Sequence, residues 1–66
     1  MDYQTLVNEI TDMYERGKFY AEKDFHEKSE YWLHKSGYDE GSYEYMAFTK
    51  GYYAKKIELI WKKHNT

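Results

Sequence analysis

Histidines and carboxylates are the side chains of this sequence that could carry metal or acid–base chemistry. His26 and His34 stand eight positions apart, which is roughly 12 Å along a helix and too far for one metal ion. Glu30 lies four residues from each, so the three could meet only at an interface between copies. The chain has no cysteine, no glycine-rich phosphate loop and no Gly-x-Ser-x-Gly turn. We therefore predict no metal site, no cofactor and no enzymatic activity.

Cations and aromatic rings gather near the C-terminal end of the sequence. A mixture of this kind could hold a phosphate and stack a base. The formal net charge of the whole chain is −2, however, and nucleic-acid binding needs a basic surface. The alternative function is therefore an oligomeric helical protein that sequesters a small anionic or nucleotide ligand between subunits. Its candidate ligand-binding residues are Lys55, Lys56, Trp61 and His64.

The apolar residues are mostly aromatic. The chain of 66 residues holds nine tyrosines, while Leu, Ile and Val together supply seven. A chain this short buries only about 60% of its unfolded surface. Small domains without disulfides or structural metals often bury further surface by oligomerising. We expect a single domain over residues 1–66 with a core built from rings, in a homo-oligomer for which a dimer is favoured.

No apolar run in the sequence approaches the roughly 18 residues of a membrane span. Cysteine is also absent, and disulfides belong to oxidising compartments. We expect a cytoplasmic protein without a membrane partner.

The chemistry-bearing residues must be positioned by helices, because proline is absent and Glu, Lys, Met and Tyr are frequent. Gly37 and Gly41 bracket one clear loop over 36–41. The pattern predicts an all-α antiparallel helical hairpin, with one helix over about 3–35 and another over about 41–63. Asp24 and Glu27 also match a capping box. The first half is therefore either one helix or two helices broken near Asp24, and copies of the hairpin would assemble into a helical bundle.

Each half carries an apolar stripe with the 3.6-residue period of a helix, and we predict that these two stripes form the core. In the first half the stripe comprises Tyr3, Leu6, Val7, Ile10, Met13, Tyr14, Gly17, Ala21, Phe25 and Trp32. In the second half it comprises Tyr43, Met46, Ala47, Tyr53, Ala54, Ile57, Ile60 and Trp61.

Further apolar residues lie behind both stripes, where a two-helix hairpin would leave them exposed. They are Tyr45, Phe48, Tyr52 and Leu59 in the second half, and Phe19 and Leu33 in the first. Tyrosine and other rings are enriched at protein interfaces. We therefore expect these six residues to bind a partner or a second copy. The predicted function is a small non-enzymatic protein-binding module, an inhibitor or adaptor on a larger protein, of the type that phages and mobile elements encode.

Two short segments resemble each other. Residues 14–21 and 48–54 both read aromatic, any residue, base, glycine, then rings and an alanine. A glycine within a helix suggests a place where backbones approach closely. In an antiparallel hairpin, however, Gly17 would lie opposite Ile60, so the two glycines need not meet. The first half carries a charge of −4 and the second +2, which would also favour antiparallel packing.

Overall fold

The structure is a computed structural model that describes residues 2–65. Three helices follow one another: α1 over Tyr3–Glu27, α2 over Tyr31–His34 and α3 over Tyr43–His64. The described residues contain no strand, so the all-α prediction is confirmed. The two long helices pack against each other. We call residues 28–42, which connect them and include α2, the return segment.

The first long helix ends earlier than predicted. Lys28 adopts the left-handed conformation with φ of 56°, and its backbone N–H donates to the carbonyls of Asp24 and Phe25. The continuous helix over 3–35 is therefore wrong. The alternative, two helices broken near Asp24, is closer, although the break lies at 28–30. Asp24 itself stays inside α1, so it does not cap a helix of its own as the capping box predicted.

The second long helix begins as its sequence indicates. The Ser42 hydroxyl accepts a hydrogen bond of 3.2 Å from the Tyr45 backbone N–H, which is the usual way to satisfy a first-turn donor. Gly37 and Gly41 precede it with φ of 80° and 92°, values that glycine adopts without steric cost. The predicted loop therefore exists, and it forms the last part of the return segment.

The two long helices run parallel, so the prediction of an antiparallel hairpin is wrong. The Tyr43 hydroxyl donates to the Glu9 carboxylate over 3.1 Å near the start of both helices. Further along both helices, the Tyr52 hydroxyl donates to the Asp24 carboxylate over 2.7 Å. Successive contacts that move in the same direction along both helices occur only when the helices are parallel. The return segment makes this possible, because it carries the chain back along α1 before α3 begins.

Two glycines allow the long helices to touch backbone to backbone. A Cβ atom built on Gly17 would overlap the Phe48 carbonyl oxygen and lie 2.8 Å from the Tyr52 backbone nitrogen. A Cβ atom on Gly51 would overlap the Tyr14 carbonyl oxygen. The expectation that the glycines need not meet is corrected: both lie at one crossing. The two similar segments are 34 positions apart, the same offset that separates Glu9 from Tyr43, so each glycine meets the matching part of the other segment.

The core lies between α1, α3 and the return segment. Phe48 is its centre, with ring centroids of Tyr20 and Tyr38 at 5.5 Å and 5.6 Å. Edge-on contacts at such distances are the favoured geometry of aromatic pairs. A hydrogen bond of 2.8 Å from the Arg16 guanidinium to the Tyr38 hydroxyl fastens the return segment to α1. The buried apolar residues and the rings packed on them are Ala21, Leu33, Phe48, Tyr52, Tyr20 and Tyr38.

The predicted core stripe of the second half is largely exposed. Ala47 is buried, but all of the other members are solvent-exposed. The reason is the return segment, which covers the opposite side of α3 and turns the predicted core stripe outward. The large residues concerned are Tyr43, Met46, Tyr53, Ile57, Ile60 and Trp61, and Tyr3 and Ile10 of the first stripe are exposed as well.

Candidate functional site

Three of the six predicted contact residues cannot contact a partner. Phe48 and Tyr52 are 0% exposed, and Leu33 is buried beside them. Each was expected on the outside because a hairpin has nothing to cover a second face. In the structure the return segment provides that cover, with Leu33 as part of it. Their predicted role in binding is therefore corrected to a role in the core.

The other three predicted contact residues remain at the surface, but they do not form one patch. Tyr45 and Leu59 are half-buried on α3. Phe19 is 58% exposed on α1, and the Lys23 ammonium lies 5.3 Å from the centre of its ring. A cation over a ring is compatible with full exposure to water. These residues stay candidates for contact, but the structure does not bring them together.

Six large exposed apolar residues lie on the outward side of α3. We call this set the α3 face; its most exposed members, Ile57 and Trp61, are each 67% exposed. Packing within the described residues leaves it open along most of the helix. The α3 face comprises Tyr43, Met46, Tyr53, Ile57, Ile60 and Trp61, each at least 40% exposed.

The spacing within the α3 face is that of a coiled-coil seam. From Tyr43 the positions advance by three to Met46, and from Tyr53 they advance by four to Ile57 and by three to Ile60. The position between Met46 and Tyr53 that continues this alternation is Lys50. A 3–4 alternation places side chains in one straight line along a helix, and it is the pattern that a second helix recognises. The seam could have been found in the sequence by testing a seven-residue period.

A shallow groove extends the α3 face toward α1. It has a volume of about 210 Å³ and is lined by Ile10, Tyr43, Met46, Ala47 and Lys50. Its lining is apolar apart from the ammonium of Lys50 and the hydroxyl of Tyr43. An inserted side chain of a partner could therefore be covered on two sides at this end of the face.

The α3 face has one charge within its seam, and that charge is positive. Lys50 lies in the seam, and Lys56 and Lys63 lie beyond one edge. At about 100° per residue, Glu58 lies about as far beyond the opposite edge, and the Glu9 carboxylate of α1 accepts a hydrogen bond from the Tyr43 hydroxyl. The face is therefore apolar with a single cation, Lys50, inside it.

The predicted ligand-binding cluster is divided between different surfaces. Lys55 forms an ion pair of 3.3 Å with Glu58, and Lys62 pairs with the same carboxylate. The two ammonium groups lower the pKa of the Glu58 carboxyl. Lys56 faces a cleft that borders the α3 face at Ile60. Trp61 belongs to the α3 face, and His64 is exposed in the last turn. The structure therefore does not bring these four residues into one site.

The cleft that contains Lys56 lies between the end of α1 and the second half of α3. It has a volume of about 620 Å³, within the range of small-molecule sites. Its lining mixes two apolar side chains with four bases. The lining residues are Asp24, Phe25, His26, Lys28, Ser29, Glu30, Lys56, Ile60 and Lys63.

The buried carboxylate of Asp24, only 2% exposed, holds the return segment in place. It accepts backbone N–H bonds from Trp32 at 2.9 Å and Leu33 at 3.1 Å, and so caps the N-terminus of α2. It also accepts from the Tyr52 hydroxyl at 2.7 Å and from the Ser29 hydroxyl at 3.4 Å. Burial and the hydrogen bond from Tyr52 to Asp24 raise the pKa of the Tyr52 phenol well above its usual value. The sequence alone did not identify this network, because its partners lie up to 28 positions away.

Within residues 2–65, no three His, Asp or Glu side chains converge to form a metal site. The described helices also include none that is long and apolar enough to cross a bilayer.

Comparison of the chain with known protein families, with curated proteins and with solved structures gives no match.

Proposed function

We propose that this protein is a small binding module that docks the α3 face into an apolar groove with an acidic rim on a larger protein. The observation that carries the proposal is the exposed seam on α3. A helix with a buried side and a second apolar side is either covered by another element or presents a binding surface. An amphipathic helix that lies in a partner groove uses anchors at this spacing.

The strongest anchors should be the most exposed large residues of the face. Trp61 and Ile57 lie one turn apart near the C-terminal half of α3, and tryptophan is enriched among the residues that dominate binding energy. Tyr43 and Met46 border the shallow groove at the other end. Binding at both ends would cover the whole length of the helix, about 33 Å for 22 residues.

The charge pattern favours an acidic partner over a second copy. If two α3 faces packed together, the Lys50 side chains of both copies would lie in one interface, and like charges in an interface cost affinity. An acidic rim would instead pair with Lys50. The predicted homodimer is therefore the competing occupant of this face. The two occupants can be distinguished, because a homodimer doubles the molar mass of the purified protein.

The substitution Ile57→Glu should abolish partner binding without unfolding the protein. The new carboxylate would be buried in the apolar contact, so the dissociation constant should rise at least about 30-fold, equivalent to about 2 kcal/mol. Because Ile57 is exposed in the free protein, the free energy of unfolding should change by less than about 0.5 kcal/mol. The measurement is a titration of the purified, identified partner against both proteins by calorimetry, after capture from a lysate.

Phe19→Ala is the matched control, because Phe19 is also an exposed ring but lies outside the α3 face. It should leave the partner affinity unchanged, and the wild-type affinity should fall as salt is added. The proposal is wrong if Ile57→Glu binds the partner as tightly as the wild type. It is also wrong if light scattering gives a dimer that only Ile57→Glu converts to a monomer, since a second copy then occupies the face.

A further inference from the structure

The cleft at the end of α1 combines cations with an apolar floor. Lys56 and Lys63 reach it from α3, and Lys28 reaches it from the return segment. Phe25 and Ile60 supply apolar surface on opposite walls. This arrangement is separate from the α3 face in its chemistry, although Ile60 lies at the edge of both. It is suited to a ligand with a negative group attached to an apolar or aromatic body.

The cations of the cleft outweigh its acids. Three lysines line it, against Glu30 and the buried Asp24. The Asp24 carboxylate already accepts four hydrogen bonds from the protein, so a ligand would not meet its unsatisfied oxygens. The carbonyls at the end of α1 would repel an anion. Two of them, those of Asp24 and Phe25, accept hydrogen bonds from Lys28 and Ser29.

The residue that ends α1 is a lysine where glycine is usual. The φ of Lys28 is 56°, and it is the only non-glycine residue with positive φ among the described residues. The position directly after a helix usually holds glycine, because other residues are strained there. The chain thus carries a cation at the rim of the cleft at some cost in stability, and strained backbone of this kind concentrates at functional sites.

We propose that this cleft binds a small organic phosphate, with the phosphate held by Lys28, Lys56 and Lys63 and the ring of the ligand between Phe25 and Ile60. This site lies within one chain, unlike the site between subunits that the sequence suggested. It goes beyond the proposed protein-binding function and does not depend on it. The bases hold the anion by charge-assisted hydrogen bonds, and the apolar walls add contact that inorganic phosphate could not use.

The test is a calorimetric or NMR titration of the full chain with AMP, adenosine and inorganic phosphate. AMP should bind saturably with a dissociation constant below about 1 mM, and the other two should bind at least about tenfold more weakly. Lys56→Gln should weaken AMP about tenfold, since one charge-assisted contact is lost. Lys55→Gln is the matched control, because Lys55 pairs with Glu58 outside the cleft, and it should leave the affinity within about twofold.

The variant Lys28→Gly separates ligand binding from folding. It should weaken the binding of AMP about as much as Lys56→Gln does. It should also raise the melting temperature by roughly 4 °C, because glycine relieves the left-handed strain. The proposal is overturned if the dissociation constant for AMP is above about 1 mM. It is overturned equally if adenosine or inorganic phosphate binds as tightly as AMP, or if Lys55→Gln and Lys56→Gln weaken AMP to the same extent.

Discussion

Replacement of either crossing glycine by alanine should destabilise the protein by about 3 kcal/mol or more. The Cβ atom of Gly17→Ala would overlap the Phe48 carbonyl, and that of Gly51→Ala would overlap the Tyr14 carbonyl. Both obstacles are backbone atoms, so no side-chain rotation can remove the overlap and the helices must separate. A domain of this length has a total stability of roughly 3–10 kcal/mol, so either variant could lose most of its folded population.

The direction of this effect distinguishes packing from helix propensity. Alanine favours a helix over glycine by about 1 kcal/mol, so propensity alone predicts that both variants are more stable. The measurement is urea unfolding followed by near-ultraviolet circular dichroism. Ala54→Gly is the control, because Ala54 is an exposed position of α3, and it should cost only about 1 kcal/mol. Unchanged or increased stability of Gly17→Ala would show that the helices do not cross there.

Replacement of Asp24 by alanine should cost about 3 kcal/mol or more, at roughly 1 kcal/mol or more for each buried donor left without a partner. The backbone N–H groups of Trp32 and Leu33 and the Tyr52 hydroxyl would lose their acceptor, and buried donors without a partner are expensive. The return segment should then detach from α1 and expose Phe48. Hydrogen exchange should show this directly, with loss of protection at the amides of Trp32 and Leu33.

Two further variants make the Asp24 result specific. Asp12→Asn changes an exposed acid of the same helix and should alter stability by less than about 0.5 kcal/mol. Tyr52→Phe removes one of the hydrogen bonds to Asp24 and should cost about 1–2 kcal/mol. If Asp24→Ala keeps the amides of Trp32 and Leu33 protected, the carboxylate does not hold the return segment.

The helical periods could be read from the sequence because they depend on local spacing. The long helices, the loop between Gly37 and Gly41 and the ring-rich core all follow from residue types and the 3.6-residue period. The seam residues were also correctly predicted to share one stripe on α3. The prediction that this stripe is buried was wrong, because a period shows which residues share a face but not what covers that face.

The errors have one physical origin, the return segment. Short connections usually join antiparallel helices, so residues 36–41 suggested a hairpin. The helix instead ends at Glu27, and a lysine takes the left-handed position where glycine would have signalled the end. The 15 residues that follow are enough to travel back along α1. They bury Phe48 and Tyr52, and they leave Ile57 and Trp61 exposed.

The buried core and the exposed α3 face both depend on the parallel packing of α1 and α3. The most direct test is a spin-label distance between Glu9→Cys and Tyr43→Cys, in a chain that has no cysteine of its own. Packed parallel helices have axes about 8–10 Å apart, so the labels should lie within about 20 Å of each other. An antiparallel hairpin would place residue 43 beside residue 34, about 37 Å along the helix from residue 9. A distance near that larger value would contradict the parallel arrangement.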